Sequence, residues 1–181
     1  MNSPSHAVAT VAARRPLRLV AGFAAFEGAW FACVMGAAHA RPWAGIGIAA
    51  GVIALFLATS ERRGADVVLV IVAMMVGLVW DGAMGRLGLI AYAEPGLLPA
   101  PGWILALWTL FAVTLREPLR YLHTRWPLAA LLGAAGGPLS YAAAARMGAC
   151  TILTPAAYAV LAVGWGVLTP LLLALARRLD R

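Results

Sequence analysis

The stretch from Asp66 to Ile90 restricts the fold of this chain more than any other part of the sequence. It is apolar along almost its whole length, yet it contains Asp81 and Arg86. A helix that crosses the hydrocarbon core of a bilayer needs about 20 mostly apolar residues, and this stretch is long enough. Because a carboxylate at that depth is costly unless polar groups or a wet cavity receive it, Asp81 should face the protein interior. The sequence therefore predicts a transmembrane helix with Trp80 and Asp81 at the floor of any functional site.

Composition indicates that most of the chain lies in the membrane. Of the 181 residues, 63% are hydrophobic and 12% are charged, and the mean hydropathy is +0.87. Soluble domains are about half apolar and a quarter charged, so much of this apolar surface must face lipid. The net charge of +7 comes from arginine alone. The arginines stand at the edges of apolar runs, as topology signals do, which argues against a nucleic-acid partner.

Six apolar runs follow one another along the chain, separated by short polar or Pro- and Gly-rich segments. The runs cover residues 19–38, 43–59, 66–90, 103–115, 127–145 and 152–176. Basic residues precede the first run and Ala38-His39-Ala40 ends it, which is also the pattern of a cleaved signal peptide. The run is longer than the roughly 7–15 apolar residues of a signal peptide, and Glu27 interrupts it, so we predict an uncleaved first helix.

The distribution of arginine decides whether the short fourth run crosses the membrane. If it crosses, 11 arginines lie on the cytoplasmic side, and only Arg41, Arg86 and Arg146 lie outside. If it does not, the arginines after the last run change sides, and this positive-inside bias weakens. The sequence therefore predicts an all-α integral membrane protein, a compact bundle of about six transmembrane helices with both termini cytoplasmic.

Three regions follow from this topology. Residues 1–18 form a cytoplasmic N-terminal tail with a disordered start, residues 19–176 form a single transmembrane helical domain, and residues 177–181 form a cytoplasmic C-terminal tail. A chain of this size has no room for a separate soluble domain. No convincing internal repeat is apparent, so the inverted-repeat signature of many transporters is absent or too weak to recognise.

The polar residues within the apolar runs collect in the outer half of the membrane when depth is counted at about 1.5 Å per residue. The predicted polar pocket consists of Trp80, Asp81, Arg86, Ser140, Tyr141 and Arg146. We expect it to open outward, with an arginine or the Tyr141 hydroxyl as the partner of Asp81. Asp81 either serves a ligand or staples the third helix to the fifth, and both interpretations remain open. Glu27, near the middle of the first helix, is a further intramembrane acid.

Several chemistries lack the residues that they need. The histidines are His6, His39 and His123, which the topology separates, so no metal site and no haem or other cofactor is predicted. A nucleophile at Ser140 would need a base, and no histidine lies at its depth. Cys33 and Cys150 are interpreted as small buried side chains. A non-enzymatic role is therefore favoured, although the sequence leaves catalysis open.

Four segments carry a resemblance to a known family. They are Phe26–Gly45, Val79–Leu89, Pro101–Leu115 and Gly136–Ala149, with the Trp-Asp pair and the string Gly-Gly-Pro-Leu-Ser-Tyr as the most specific parts. Over residues 19–176 the chain resembles the bacterial inner-membrane proteins of domain-of-unknown-function family 2878. Members usually carry Asn-His-Ser where this chain has Arg116-Glu117-Pro118. The resemblance implies a multi-pass protein of the bacterial inner (cytoplasmic) membrane.

The resemblance also implies a function, by association. Members are often encoded near enzymes that modify unsaturated fatty acyl chains, which implies an accessory protein in membrane lipid or fatty-acid modification. Its partner would be a membrane lipid or acyl chain, or a membrane enzyme. Two other functions remain open. One is a transporter or channel for a small solute or proton, with Asp81 and Glu27 as relay groups; the other is an outer-leaflet membrane enzyme that uses Asp81 and Tyr141.

Overall fold

The protein is a helical bundle with one small pair of strands. The computed structural model describes residues 4–116 and 118–180, with side chains from residue 20 onward. Its elements are α1 (Pro4–Ala38), α2 (Pro42–Thr59), α3 (Arg63–Arg86), β1 (Ile90–Tyr92), α4 (Gly102–Ala112), α5 (Trp126–Arg146), β2 (Cys150–Ile152) and α6 (Ala156–Leu179). Five of these helices are long and apolar enough to cross a membrane, and α4 is a shorter apolar helix. The prediction of a helical, multi-spanning membrane protein is confirmed.

Two boundaries differ from the sequence prediction. The helix α1 begins at Pro4, so most of the predicted N-terminal tail continues the first helix, and residues 1–3 lie outside the described residues. The last apolar run begins with the strand β2, and α6 starts only at Ala156. Strands of three residues are too short to be recognised by an alternating apolar pattern, which is why both were missed.

The short helix α4 is the central element of the bundle. It packs against α1, α2 and α3, whereas α6 packs against α3 and α5. Most of its residues are buried, as expected for a helix that is apolar on all sides. Within the residues that the structure describes, α1 and α5 do not form a packed pair, and neither do α4 and α5. The bundle is therefore open between α1 and α5, in front of α4.

The segment from Pro99 to Arg116, which contains α4, runs along most of α3, although α4 itself is short. At one end Gly82 faces Pro99, and at the other Arg116 binds Asp66. Between Asp66 and Gly82, α3 rises by about 24 Å, whereas the 11 residues of α4 rise by only about 16 Å. The turn after α4 and the long Arg116 side chain make up the difference.

An ionic cluster of Ser60, Asp66, Arg116 and Asp180 joins α2, α3, α4 and α6 at one end of the bundle. Arg116 Nη1 lies 2.8 Å from Asp66 Oδ1, and Arg116 Nε lies 2.7 Å from Asp180 Oδ1. The Ser60 hydroxyl donates to Asp66 Oδ2. Burial alone would lower the pKa of Arg116, but its hydrogen bonds to Asp180 and Asp66, and their charges, raise it overall. The strands β1 and β2 lie at the opposite end.

The structure contains an internal repeat that was not recognisable in the sequence. The units α3–β1–α4 and α5–β2–α6 have the same order of elements. Both α3 and α5 end at an arginine, and two residues later comes a glycine in the left-handed region, Gly88 (φ 66°) and Gly148 (φ 88°). This glycine conformation closes a helix without a Cβ penalty and sends the chain into the strand.

Each position of α3 and β1 corresponds to the position 60 residues later in α5 and β2. A local two-fold axis relates the two units. The strands pair antiparallel with Ala91 opposite Thr151, which are equivalent positions. Over the first helix and the strand of the two units, six positions are buried in both: Leu69 and Ala129, Ala73 and Gly133, Gly77 and Gly137, Asp81 and Tyr141, Met84 and Ala144, and Ile90 and Cys150. Few of these pairs are identical, so the repeat lies in the burial pattern and not in the residue types. Such parallel repeats occur in other membrane proteins.

Candidate functional site

Two stacked indoles lie between two glycines where the repeat units meet. A Cβ atom at Gly77 would overlap the ring of Trp108, and one at Gly137 would overlap the ring of Trp165. The missing side chains therefore let the two indoles lie against the backbones of α3 and α5. The indoles stack on each other with ring centroids 4.7 Å apart and an interplanar angle of 15°. Stacked aromatic pairs stabilise a fold beyond the area that they bury.

The glycine contacts lead to a prediction with a matched control. Gly137→Ala should lower stability by about 1–3 kcal/mol, because the methyl group overpacks the indole of Trp165. Gly136→Ala, at a neighbouring position with open space around it, should instead raise stability by about 0.5–1 kcal/mol, as alanine does in a helix interior. Thermal unfolding of the purified protein in detergent, followed by tryptophan fluorescence, measures both. Equal shifts of Tm for the two variants would contradict the packing described here.

One turn beyond Gly77, the carboxylate of Asp81 receives three hydrogen-bond donors. The Tyr92 and Tyr141 hydroxyls donate to Oδ1 at 2.6 and 2.5 Å, and Trp108 Nε1 donates to Oδ2 at 2.6 Å. Asp81 is fully buried. Short bonds to a carboxylate are among the strongest in proteins, and these satisfy both of its oxygens. Asp81 therefore joins α3 to β1, α4 and α5.

The two strand residues beside this network remain protonated. Burial raises the pKa of Tyr92, and the nearby Asp81 carboxylate raises it further, so its hydroxyl stays a donor. The Cys150 thiol lies 3.8 Å from the Tyr141 carbonyl oxygen. Burial raises the pKa of Cys150 to about 11. Because the thiolate is the nucleophile, Cys150 is an inert buried thiol.

The structure brings Asp81 and Tyr141 together but not the other predicted pocket residues. Trp80 packs over Gly164 of α6, away from the carboxylate. Arg86 and Arg146 are exposed at the ends of α3 and α5, and Asp81 bonds to hydroxyls and an indole instead. Their positions at helix ends suit side chains that extend toward lipid headgroups.

Tyr92 and Trp108, two of the three donors, were absent from the predicted pocket. Tyr92 reaches Asp81 because β1 turns back over the end of α3, and a strand of three residues leaves no signal in the sequence. Trp108 could have been found from the spacing of Gly77 and Asp81. A glycine one turn before a buried acid leaves room for an indole whose N–H reaches that acid.

Beside the Asp81 network lies a cavity of about 410 Å³ between α1, α4 and α5. Its lining is mainly apolar and aromatic and includes Trp30, Ile104, Leu107, Phe111, Trp108 and Trp165. Tyr141 and Ser140 also line it, but the Tyr141 hydroxyl donates to Asp81, and the Ser140 hydroxyl donates to the Gly137 carbonyl at 2.8 Å. Glu27 is exposed where α1 faces α5, so the cavity opens sideways between these helices.

Few polar atoms are free within the cavity. The Thr169 hydroxyl and the Trp165 indole N–H are buried in its wall, and neither has a hydrogen-bond partner among the described residues. Glu27 makes no hydrogen bond or ion pair within that part of the chain and stands at the opening. Across residues 4–116 and 118–180, no three His, Cys, Asp or Glu side chains come close enough to hold a metal ion.

Five membrane-length helices, a buried carboxylate that links α3 to α4 and α5, and a lateral apolar cavity are the features of a multi-spanning membrane protein. The chain belongs to the family described as "Protein of unknown function (DUF2878)", whose model matches residues 19–171. The resemblance noted from the sequence is thereby confirmed. No curated protein and no solved structure matches the chain.

Proposed function

We propose that this protein binds the acyl chain of a membrane lipid in the cavity between α1 and α5. The observation that supports this most directly is the cavity itself. Its volume of about 410 Å³ lies in the range of known small-molecule sites, and its walls are mainly apolar and aromatic. It opens sideways, where a lipid chain in the bilayer reaches it without crossing water. A polar solute would find few hydrogen-bond partners there.

We further propose six crossings of the bacterial inner membrane, with both termini in the cytoplasm. The ionic cluster ties the start of α3, the segment after α4 and the end of α6 to one end of the bundle. Arg62, Arg63, Arg120, Arg125, Arg177 and Arg178 lie in segments at that same end. Arg41, Arg86 and Arg146 lie at the opposite end, so the positive-inside rule favours the end with the ionic cluster as cytoplasmic.

In the cell, such binding would serve an accessory role in membrane lipid or fatty-acid modification, in which the protein holds a chain for a membrane enzyme. The Asp81 carboxylate is engaged by three donors, is fully buried and does not line the cavity. A proton relay from Glu27 would have to pass Trp108 and Tyr141 to reach Asp81. A catalytic pocket of Asp81, Ser140 and Arg146 would need Arg146 to converge on it. Binding without catalysis is therefore the better-supported function.

Retention of lipid by the purified protein tests the proposal. Native mass spectrometry after delipidation and incubation with dioleoyl phosphatidylethanolamine should detect one bound lipid. Gly136→Phe places a ring at the opening of the cavity, where the backbone has open space. Because the ring takes up space that the acyl chain would fill, Gly136→Phe should lose most of the lipid that the wild type retains. Retention unchanged in Gly136→Phe, or absent from the wild type, would contradict the proposed site.

The accessory role needs a separate experiment in cells. A deletion strain should have an altered fatty-acyl profile that the wild-type gene restores and the Gly136→Phe gene does not. Unchanged lipids in the deletion strain would remove the accessory role, while lipid retention by the purified protein would still support binding.

A further inference from the structure

The two-fold repeat makes the α3–α6 pair equivalent to the α5–α4 pair, yet only the first is packed. The helices α3 and α6 are in contact, whereas α4 and α5 form no packed pair in the described part of the chain. The cavity lies between α4 and α5, with α1 along its third side. The cavity is thus the place where the repeat departs from its own symmetry.

Two substitutions between the repeat units account for this difference. In the first unit, Trp80 of α3 covers Gly164 of α6 so closely that a Cβ atom at Gly164 would overlap the indole. A shift of 60 residues turns Trp80 into Ser140. The second helices of the units, α4 and α6, align when the stacked residues Trp108 and Trp165 are treated as equivalent, which is a shift of 57 residues. With this shift, Leu107 of α4 is equivalent to Gly164 of α6.

Ser140 and Leu107 leave open the space that their equivalents, Trp80 and Gly164, fill in the first unit. Both Ser140 and Leu107 line the cavity. The Ser140 hydroxyl turns back to the Gly137 carbonyl of its own helix, so it does not reach across to α4. A leucine on the facing helix holds α4 away from α5 without replacing the volume of an indole. Close packing in protein interiors means that such a gap is unusual unless something occupies it.

We infer that the cavity is the slot that Trp80 fills in the other repeat unit, and that Ser140 keeps this slot open for a ligand. The inference rests on the proposed function and states what the slot selects. Its occupant replaces an indole beside Leu107, Trp108 and Trp165. An apolar section of an acyl chain meets that requirement. Because the Ser140 hydroxyl is already bonded to the Gly137 carbonyl, Ser140 contributes space and not a hydrogen bond to the slot.

The inference is tested by introducing the residues of the first unit, Trp80 and Gly164, at the equivalent positions of the second unit. The double variant Ser140→Trp, Leu107→Gly should lose most of the dioleoyl phosphatidylethanolamine that the wild type retains in native mass spectrometry, because the indole occupies the space of the chain. Its Tm should equal or exceed that of the wild type, because the slot is filled by protein. Leu139→Trp is the matched control, since it adds the same side chain to an exposed neighbouring position and should leave retention unchanged.

The outcomes separate this inference from the proposed function. No lipid on the wild type would remove the proposed function itself. Lipid on the wild type and equally on the double variant would overturn the role of Ser140 and leave the proposed function in place. Equal loss in the double variant and in Leu139→Trp would also overturn it, because the effect would then not be specific to the slot.

A reciprocal variant tests the inference if the double variant Ser140→Trp, Leu107→Gly does not fold. Trp80→Ser with Gly164→Leu should open the equivalent slot between α3 and α6. The folded variant is then expected to bind two lipids where the wild type binds one. A monodisperse variant that still binds only one lipid would contradict the equivalence of the two slots.

Discussion

Asp81→Ala is expected to destabilise the protein by about 2–5 kcal/mol. The change leaves the Tyr92 and Tyr141 hydroxyls and the Trp108 N–H without the acceptor that they share. In water-soluble proteins an unsatisfied buried donor costs about 1–3 kcal/mol. Polar contacts within membranes average nearer 1 kcal/mol, because the unfolded chain in lipid also finds partners. Three such losses give the range stated.

Asp81→Asn removes the charge but keeps a hydrogen-bond acceptor. Its comparison with Asp81→Ala therefore separates the loss of the acceptor from the loss of the charge. The asparagine oxygen can still accept from Trp108, and its amide can donate to a tyrosine hydroxyl that turns to accept. We therefore expect Asn to lower Tm by less than half as much as Ala. Phe replacements at Tyr92 and Tyr141 should each remove one bond and have a smaller effect than Asp81→Ala. If Ala and Asn at this position gave the same Tm as the wild type, Asp81 would not hold these helices together.

The long helices and the inward direction of Asp81 were predictable because the membrane imposes a simple rule. Every apolar run long enough to cross lipid forms a helix, and a buried acid must find a partner. Depth counting along two such helices brought Asp81 and Tyr141 to the same side, and the structure places them 2.5 Å apart. These features depend on local composition and on helix rise alone.

The remaining partners depend on how distant segments fold back, and no local pattern encodes that. Tyr92 reaches Asp81 only because β1 pairs with β2, some 60 residues later in the chain. The repeat was invisible for a related reason. Lipid-facing and small buried positions tolerate many apolar residues, so pairs such as Leu69 and Ala129 keep their place without keeping their identity. Of the two predicted partners of Asp81, an arginine or the Tyr141 hydroxyl, the structure has the hydroxyl, because Arg86 and Arg146 lie exposed at helix ends.

The Asp81 network and the cavity share two side chains. Trp108 and Tyr141 present their rings to the cavity and their polar atoms to Asp81. The carboxylate thus fixes the orientation of one wall of the proposed binding site. A preformed wall binds an apolar chain without further loss of side-chain freedom. Asp81 therefore has a structural role that also positions the site.

Arg116→Ala is expected to destabilise the protein by about 2–4 kcal/mol, because it leaves two mostly buried carboxylates without a counter-charge. The Arg116 and Asp66 side chains are each 12% exposed, and that of Asp180 is 21% exposed. Removing one partner of a fully buried pair costs about 3–5 kcal/mol, and the partial exposure here reduces that figure. Arg178→Ala is the matched control, since its side chain is exposed, and it should change stability by about 0.5 kcal/mol or less.

A second substitution distinguishes the loss of charge balance from the loss of packing. If the unpaired carboxylate of Asp66 is what destabilises Arg116→Ala, then Asp66→Asn should raise Tm in that background, although it lowers Tm in the wild type. Coupling of this kind is expected only for residues in direct contact. Strictly additive effects of the two substitutions on Tm would mean that Arg116 supports the end of the bundle through its aliphatic stem. The ionic cluster would then contribute little to joining α3, α4 and α6.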